Sequence, residues 1–149
     1  MRNGLHSDPF PVCLSGFIIS AATTISAGID KDGWDSWLSW EATRLDLSVI
    51  AKVDDKIVGY SVNSHHKGDN EVHGRHEAWV DSLGTLKEYR KRGIASALLV
   101  ASMQNMKEAG FESAGLDVDS ANPTGAHGLY QRLGFTITFQ STIWERQVG

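Results

Sequence analysis

Residues 79–98 read WVDSLGTLKEYRKRGIASAL and bring a basic, glycine-bearing helix start straight to the end of an extended run. The alternating apolar segment from Trp79 to Leu86 predicts a strand. Arg90, Lys91, Arg92 and Gly93 follow, and then Ile94, Leu98 and Leu99 recur on one helical face. The first N–H groups of a helix have no intrahelical partner and carry the positive end of its dipole. Such a start suits a phosphate. Gly93 allows the main chain to approach a ligand with no Cβ between them, and Ala95 keeps the next turn small. The chemistry offered is anion binding by the amides of Arg92, Gly93, Ile94, Ala95 and Ser96, with charged contacts from Arg90 and Lys91. No G-K-[ST] follows, which excludes a Walker loop, and the dinucleotide fingerprint G-x-G-x-x-G is absent.

Other reactive side chains carry less. His65, His66, His73 and His76 share one polar, glycine-bearing segment with no accompanying cysteine and no helical H-x-x-x-H pair. They predict a solvated or substrate-edge loop and no metal site. Cys13 is the lone cysteine, which excludes an internal disulfide and fits a reducing compartment. The net charge of −4 makes the basic run at 87–92 a local feature and argues against a nucleic-acid partner. Val12 to Ala27 is too short and too rich in Ser and Thr to span a bilayer. The long, proline-bearing stretch before it does not read as a signal peptide, so a cytoplasmic chain with no membrane partner is expected.

The elements that must position the basic loop follow from pattern. The 149 residues predict one domain, 1–149. Val12–Ser20 is open between strand and helix, residues 21–27 read as helical, and residues 29–33 as a turn. Trp34, Trp37, Leu38 and Glu41 fall at helical spacing within 34–44, and the stripe of Trp34, Trp37 and Trp40 reads as core packing. LSVIAKV (47–53) and KIVGYSVN (56–63) flank Asp54-Asp55 as a hairpin. Residues 65–75 read as a loop and 77–86 as the next strand. A helix over 93–109 closes at Gly110, a strand covers 114–118, a helix covers 124–133 before Gly134, and 135–146 (FTITFQSTIWER) alternates as one or two strands. Three strands followed by a helix–strand–helix–strand series predict an α/β (mixed α+β) fold, with a right-handed parallel crossover from 79 to 118.

Four segments in this order resemble one family. Arg90-Lys91-Arg92-Gly93-Ile94-Ala95 fits R/Q-x-x-G-x-G/A, the acetyl-coenzyme A pyrophosphate loop of GNAT-type N-acetyltransferases. The hairpin with its DDKIVGY turn resembles their second and third strands, AGLDVDSAN their fifth strand, and PTGAHGLYQRLGF the helix that follows. The resemblance covers 47–147, leaving 1–46 as a divergent N-terminal part. WVDSLGT with DVDSANPTGA is most similar to the catalytic half of mycothiol-synthase-like acetyltransferases.

The resemblance implies a GNAT fold: a central mixed, mostly antiparallel sheet with flanking helices, whose fourth and fifth strands splay into a cofactor wedge. It implies acetyl-CoA as cosubstrate, with pantetheine pairing to the backbone of Leu83 and Thr85, where Gly84 suits a bulge. Asn122 and Ala126 then lie toward the cofactor. Tyr130 becomes the candidate general acid, since a phenol near ~10 can protonate a thiolate whose acid lies near ~8.5. Asp81 becomes the candidate base or a binding site for the substrate cation, and Glu77, on the same strand face, could act through water. The implied reaction is acetyl transfer to a primary amine of a small molecule or peptide by direct attack, with no acyl-enzyme. Two alternatives stay open: a catalytically silent CoA-binding sensor or interaction module, and a phosphate-binding domain of another kind. The short C-terminal part suggests a homodimer sharing C-terminal strands.

Overall fold

The computed structural model describes residues 12–16, 31–119 and 125–149. The chain divides into two compact units, Met1–Asp117 and Val118–Gly149. The expected helix at 21–27 and the N-terminal tail lie outside the described residues, as does Asn122.

The first unit is built on a five-stranded sheet in the order β1-β2-β3-β4-β5. Its strands are β1 (Val12–Gly16), β2 (Val49–Val53), β3 (Lys56–Ser64), β4 (Glu77–Thr85) and β5 (Ser113–Leu116). Neighbouring strands run antiparallel except β4 and β5, which are parallel. The sheet is therefore mixed and mostly antiparallel, as the resemblance implied. The β2–β3 hairpin turns at Asp54, which takes φ 53, a left-handed conformation that aspartate tolerates better than most residues.

Helix α1 (Lys31–Leu38) covers one face of the sheet. Trp34 is fully buried there and packs with Leu38, Ile50, Tyr60 and Val62. Trp37 stacks on Trp34 at 5.1 Å. The packing reading of the tryptophan stripe thus holds for these two. The helix, however, starts at Lys31 inside the expected turn and stops at Leu38, so Trp40 lies beyond it and is 51% exposed.

On the other face lies α3 (Ile94–Glu108), whose Ile94 and Leu98 join Val49, Ala51, Val53 and Val58 in a second core. A buried polar chain ties this helix to the sheet. Ser102 Oγ donates to Ser61 Oγ at 3.0 Å, and Ser61 Oγ to Asn63 Oδ1 at 3.0 Å. Asn63 Nδ2 donates to the Leu47 carbonyl at 2.7 Å, and its N–H to Ser48 Oγ at 2.9 Å. The helix ends as expected, with Phe111 N–H returning to the Met106 carbonyl at 3.0 Å.

Two expectations are corrected. Residues 65–75 are not all loop, for α2 occupies Lys67–His73. It has no apolar stripe to betray it. The buried Asn70 holds it instead, donating Nδ2 to the Glu77 carbonyl at 2.8 Å. Residues 135–149 carry no regular secondary structure, and Ile137, Phe139, Ile143 and Trp144 are exposed. Their alternation matches a strand, but a strand forms only against a partner, and no ladder reaches these residues. The second unit contains α4 (Ala126–Arg132), whose Tyr130 meets Phe135 edge-on at 6.1 Å.

Candidate active site

The loop from Leu86 to Gly93 joins β4 to α3 through a single 3₁₀ turn, Lys87–Tyr89. Lys91 (φ 62) and Gly93 (φ 80) both take left-handed conformations, the conformation that anion-binding nests draw on. Gly93 is the N-cap of α3 and, having no side chain, gives the first turn no side-chain cap of its own. Arg90, Lys91 and Arg92 are exposed around it. Arg90 is partly engaged, its Nε donating to the Thr85 carbonyl at 3.1 Å. Tyr89 carries two cations over its ring, Lys56 Nζ at 5.5 Å and Arg92 Cζ at 5.3 Å. Ile94 is buried and anchors the turn, while Ala95 and Ser96 are partly open.

The β4–β5 ladder runs from Glu77/Ser113 to Val80/Leu116 and ends there, while β4 continues to Thr85. Beyond Val80, β4 has outrun its neighbour. Leu86 N–H donates to the Val58 carbonyl on β3 at 2.8 Å. Alternate residues of an antiparallel strand turn their backbone groups to the same side. Gly84 therefore faces β3, and the main-chain groups of Leu83 and Thr85 point to the side β5 has vacated, where the Thr85 carbonyl accepts from Arg90. Thr85 Oγ1 is buried there without a hydrogen-bond partner. An extended ligand carrying amides could pair along this edge and reach the helix start with a phosphate. These two features, the edge that β5 leaves uncovered at Leu83 and the helix start at Gly93, are the fit an acyl-CoA would need.

Gly84 does not mark the bulge. The β3–β4 register shifts between Val62 and Asn63, which oppose Ser82 and Val80, so the extra residue is Asp81. What Gly84 provides is room. A Cβ there would lie 2.5 Å from Tyr60 Cε1.

Asp81 sits at the bulge just past the last β4–β5 pair. The residue as a whole is exposed, yet its side chain keeps only 18% of its accessible surface. The openness is in its main chain, where a bulge leaves backbone groups unpaired. Burial pushes the carboxyl above the usual carboxylate range, while the Ser64 hydroxyl and the His66 ring act in the opposite direction. His66 Nε2 lies 4.0 Å from Asp81 Oδ1 and 3.1 Å from Ser64 Oγ. The Trp40 ring lies 5.6 Å from His66. Glu77 is differently placed. It begins β4, accepts from Ser113 Oγ at 3.3 Å and lies 3.9 Å from Arg75. Four residues of strand, about 13 Å at ~3.3 Å each, separate it from Asp81.

The sequence missed His66 as a neighbour of Asp81 and Trp40 as a neighbour of His66, because these segments come together only through the sheet. His65, one residue away, packs edge-on against Phe111 at 4.7 Å, and its Nδ1 is buried without a partner. Burial lowers its pKa, and the charges of Arg44 and Lys67 add to this. Among the described residues no group of three or more His, Cys, Asp or Glu could hold a metal ion. None of their helices is long and apolar enough to cross a membrane.

Tyr130 and Ala126 lie on α4 in the second unit. Burial raises the Tyr130 phenol above its ordinary value, which keeps it protonated at neutral pH.

Fold and candidate site together describe a mixed-sheet α/β domain with a basic, glycine-bearing turn beside a strand edge that β5 leaves uncovered. The sequence model of the acetyltransferase (GNAT) family matches residues 18–135, and the chain belongs to that family. The match begins within the segment expected to be divergent. An N-alpha-acetyltransferase of Sulfurisphaera tokodaii is 36% identical over 91 residues, 58% of this chain and 54% of the relative. A mycothiol acetyltransferase of Corynebacterium aurimucosum is 31% identical over 90 residues, 60% of this chain and 28% of the relative. The chain thus spans about half or less of the length of these relatives. The solved structure of the aminoglycoside N-acetyltransferase AAC(6')-Iy in complex with CoA superposes with a TM-score of 0.70 at 17% identity, covering 95% of this chain and 98% of that one. A ribosomal-protein-alanine N-acetyltransferase from Brucella melitensis gives 0.69 at 17% identity, covering 91% and 100%. At such identities the likeness is one of fold.

Proposed function

We propose that this chain transfers the acetyl group of acetyl-CoA to a primary amine by direct attack. The observation that carries the reading is the end of the β4–β5 ladder at Val80/Leu116 beside an α3 that starts at a left-handed glycine. One edge can hold the pantetheine arm while the helix start holds the diphosphate. The amides of Arg92, Gly93, Ile94, Ala95 and Ser96 bind the phosphates, with Arg90 and Lys91 supplying charge. Leu83 and Thr85 pair with the arm, and Asn122 and Ala126 flank it. The open main chain at the Asp81 bulge faces the thioester oxygen as charge develops on it.

An alkylammonium near ~10.4 must lose a proton before it attacks. Asp81 takes that proton, and its raised pKa makes it a better acceptor than an ordinary carboxylate. The Ser113 and Arg75 contacts favour a structural duty for Glu77. Tyr130 returns a proton to the departing thiolate. The acceptor class is a small molecule or peptide bearing a primary amine, in keeping with the names of the relatives and with a carboxylate at the site. The test is thiol release from acetyl-CoA across a panel of amines, amino sugars and peptides. Turnover with any member supports the reading.

A second reading has one observation behind it. Residues 135–149 lack regular structure and expose five large apolar side chains, Val148 among them, so the acceptor wall is completed by a second copy sharing C-terminal strands, or not at all. In the latter case the chain is a CoA-binding module. Calorimetric binding of acetyl-CoA with no thiol release from any amine would select it. A single monomer mass by light scattering at micromolar concentration would exclude the shared-strand dimer.

A further inference from the structure

The histidine segment, which no reading of the sequence put to use, enters the site through one ring. We propose that His66, linked to Asp81 through the buried Ser64 hydroxyl, carries the substrate's proton from the carboxyl to solvent. The inference rests on the acetyl-transfer reading and deepens it. Three separate segments supply the groups: Ser64 ends β3, His66 precedes α2, and Asp81 is the β4 bulge. At 4.0 Å the His66–Asp81 separation exceeds hydrogen-bond length. Ser64 Oγ, 3.1 Å from His66 Nε2 and interacting with the Asp81 carboxyl, supplies the link, because a hydroxyl accepts and donates at once. Of the three groups His66 is the one most open to solvent. The Asp81 side chain is 18% exposed, Ser64 is fully buried, and the His66 side chain is 34% exposed. Trp40 braces the far side of the ring.

The step balances. The ammonium gives one proton to the Asp81 carboxylate. The resulting O–H passes its proton to Ser64 Oγ while Ser64's own proton moves to His66 Nε2, and the imidazolium releases a proton to water from Nδ1. Only N–H and O–H bonds form and break. Imidazole is suited to this because its charge changes in the working pH range. Asp81 faces the ring from β4, Ser64 from β3 and Trp40 from the turn after α1. His65 and Lys67 adjoin it in sequence, and His65 also feels Arg44 and His76. Carbon-bound apolar walls alone would give the proton no exit from Ser64. His66 acts behind the base and is not itself a catalytic residue.

The test uses the full chain with acetyl-CoA and the best amine of the panel. His66→Ala should lower kcat about tenfold to a hundredfold, leave the KM for acetyl-CoA unchanged, move the acidic limb of the pH profile and respond to added imidazole. Ser64→Ala, which keeps the ring, should reproduce the loss. Undiminished kcat in His66→Ala or in Ser64→Ala overturns the relay alone. No thiol release by the wild type with any amine overturns the acetyl-transfer reading beneath it.

Discussion

Gly84→Ala should destabilise the protein through one contact, and the size of the effect follows from what holds the other side. The new Cβ would lie 2.5 Å from Tyr60 Cε1, 2.9 Å from Cζ and 3.0 Å from the hydroxyl. A ring at the end of a side chain can often swing clear, but this one is confined. Tyr60 is 3% exposed, meets Trp34 edge-on at 5.3 Å and shares a 3.0 Å hydrogen bond with Ser82 Oγ. Forcing a methyl into a packed core costs about 1–3 kcal/mol, and displacing the hydroxyl from Ser82 adds about 1 kcal/mol. The sum, roughly 2–4 kcal/mol, should lower the Tm by about 4–16 °C at 2–4 °C per kcal/mol for a chain of this size. Tyr60→Leu removes the obstacle, so the double variant should be about as stable as Tyr60→Leu alone, with a coupling of ~1.5–3 kcal/mol in a thermal or urea double-mutant cycle. If Gly84 instead served backbone freedom at a bulge, the two costs would add. Additive costs, or a Gly84→Ala variant within ~0.5 kcal/mol of wild type, refute the steric account.

Asp81→Asn should cut turnover about 10²- to 10⁴-fold and raise the Tm at neutral pH. The folded-state pKa of Asp81 is raised, so its stabilising protonated form is complete below the unfolded value near ~3.9 and is lost as pH rises through the folded value. The Tm gain of the variant should therefore fade on acidification, and a gain independent of pH would show another cause. Tyr130→Phe should lower kcat about a hundredfold while the calorimetric Kd for acetyl-CoA stays within about twofold, and unchanged turnover would remove the phenol from the mechanism. Asn63→Ala breaks hydrogen bonds to Ser61 and the Leu47 carbonyl in a site with no water access. It should cost about 2–4 kcal/mol in urea denaturation, and a loss below ~1 kcal/mol would deny the polar chain its part in seating α3.

What the sequence showed and what it hid divide along a physical line. Strands β2, β3 and β4 and helix α3 were legible because each repeats an apolar period, and the basic start of α3 was legible because its residues are contiguous. Helix α2 was not, since it is held by the single side chain of Asn70 reaching the Glu77 carbonyl, and one amide leaves no periodic trace. The bulge was assigned to the right strand and the wrong residue. Glycine reads as backbone freedom in a sequence, whereas Gly84 answers to the Tyr60 ring on the neighbouring strand, a contact twenty-four residues away. The same limit hid His66. Its ring is near Asp81 only because β3 and β4 pair in a register offset by that bulge, so the feature that misled the reading of Gly84 also sets the base beside its proposed proton outlet. Deleting Asp81 would leave the pairs Val62↔Ser82 and Asn63↔Val80 in place and straighten β4, since a bulge bends its strand. Compared with Asp81→Asn by acetyl-CoA affinity, the deletion therefore separates loss of the base from loss of the bulge beside the end of the β4–β5 ladder.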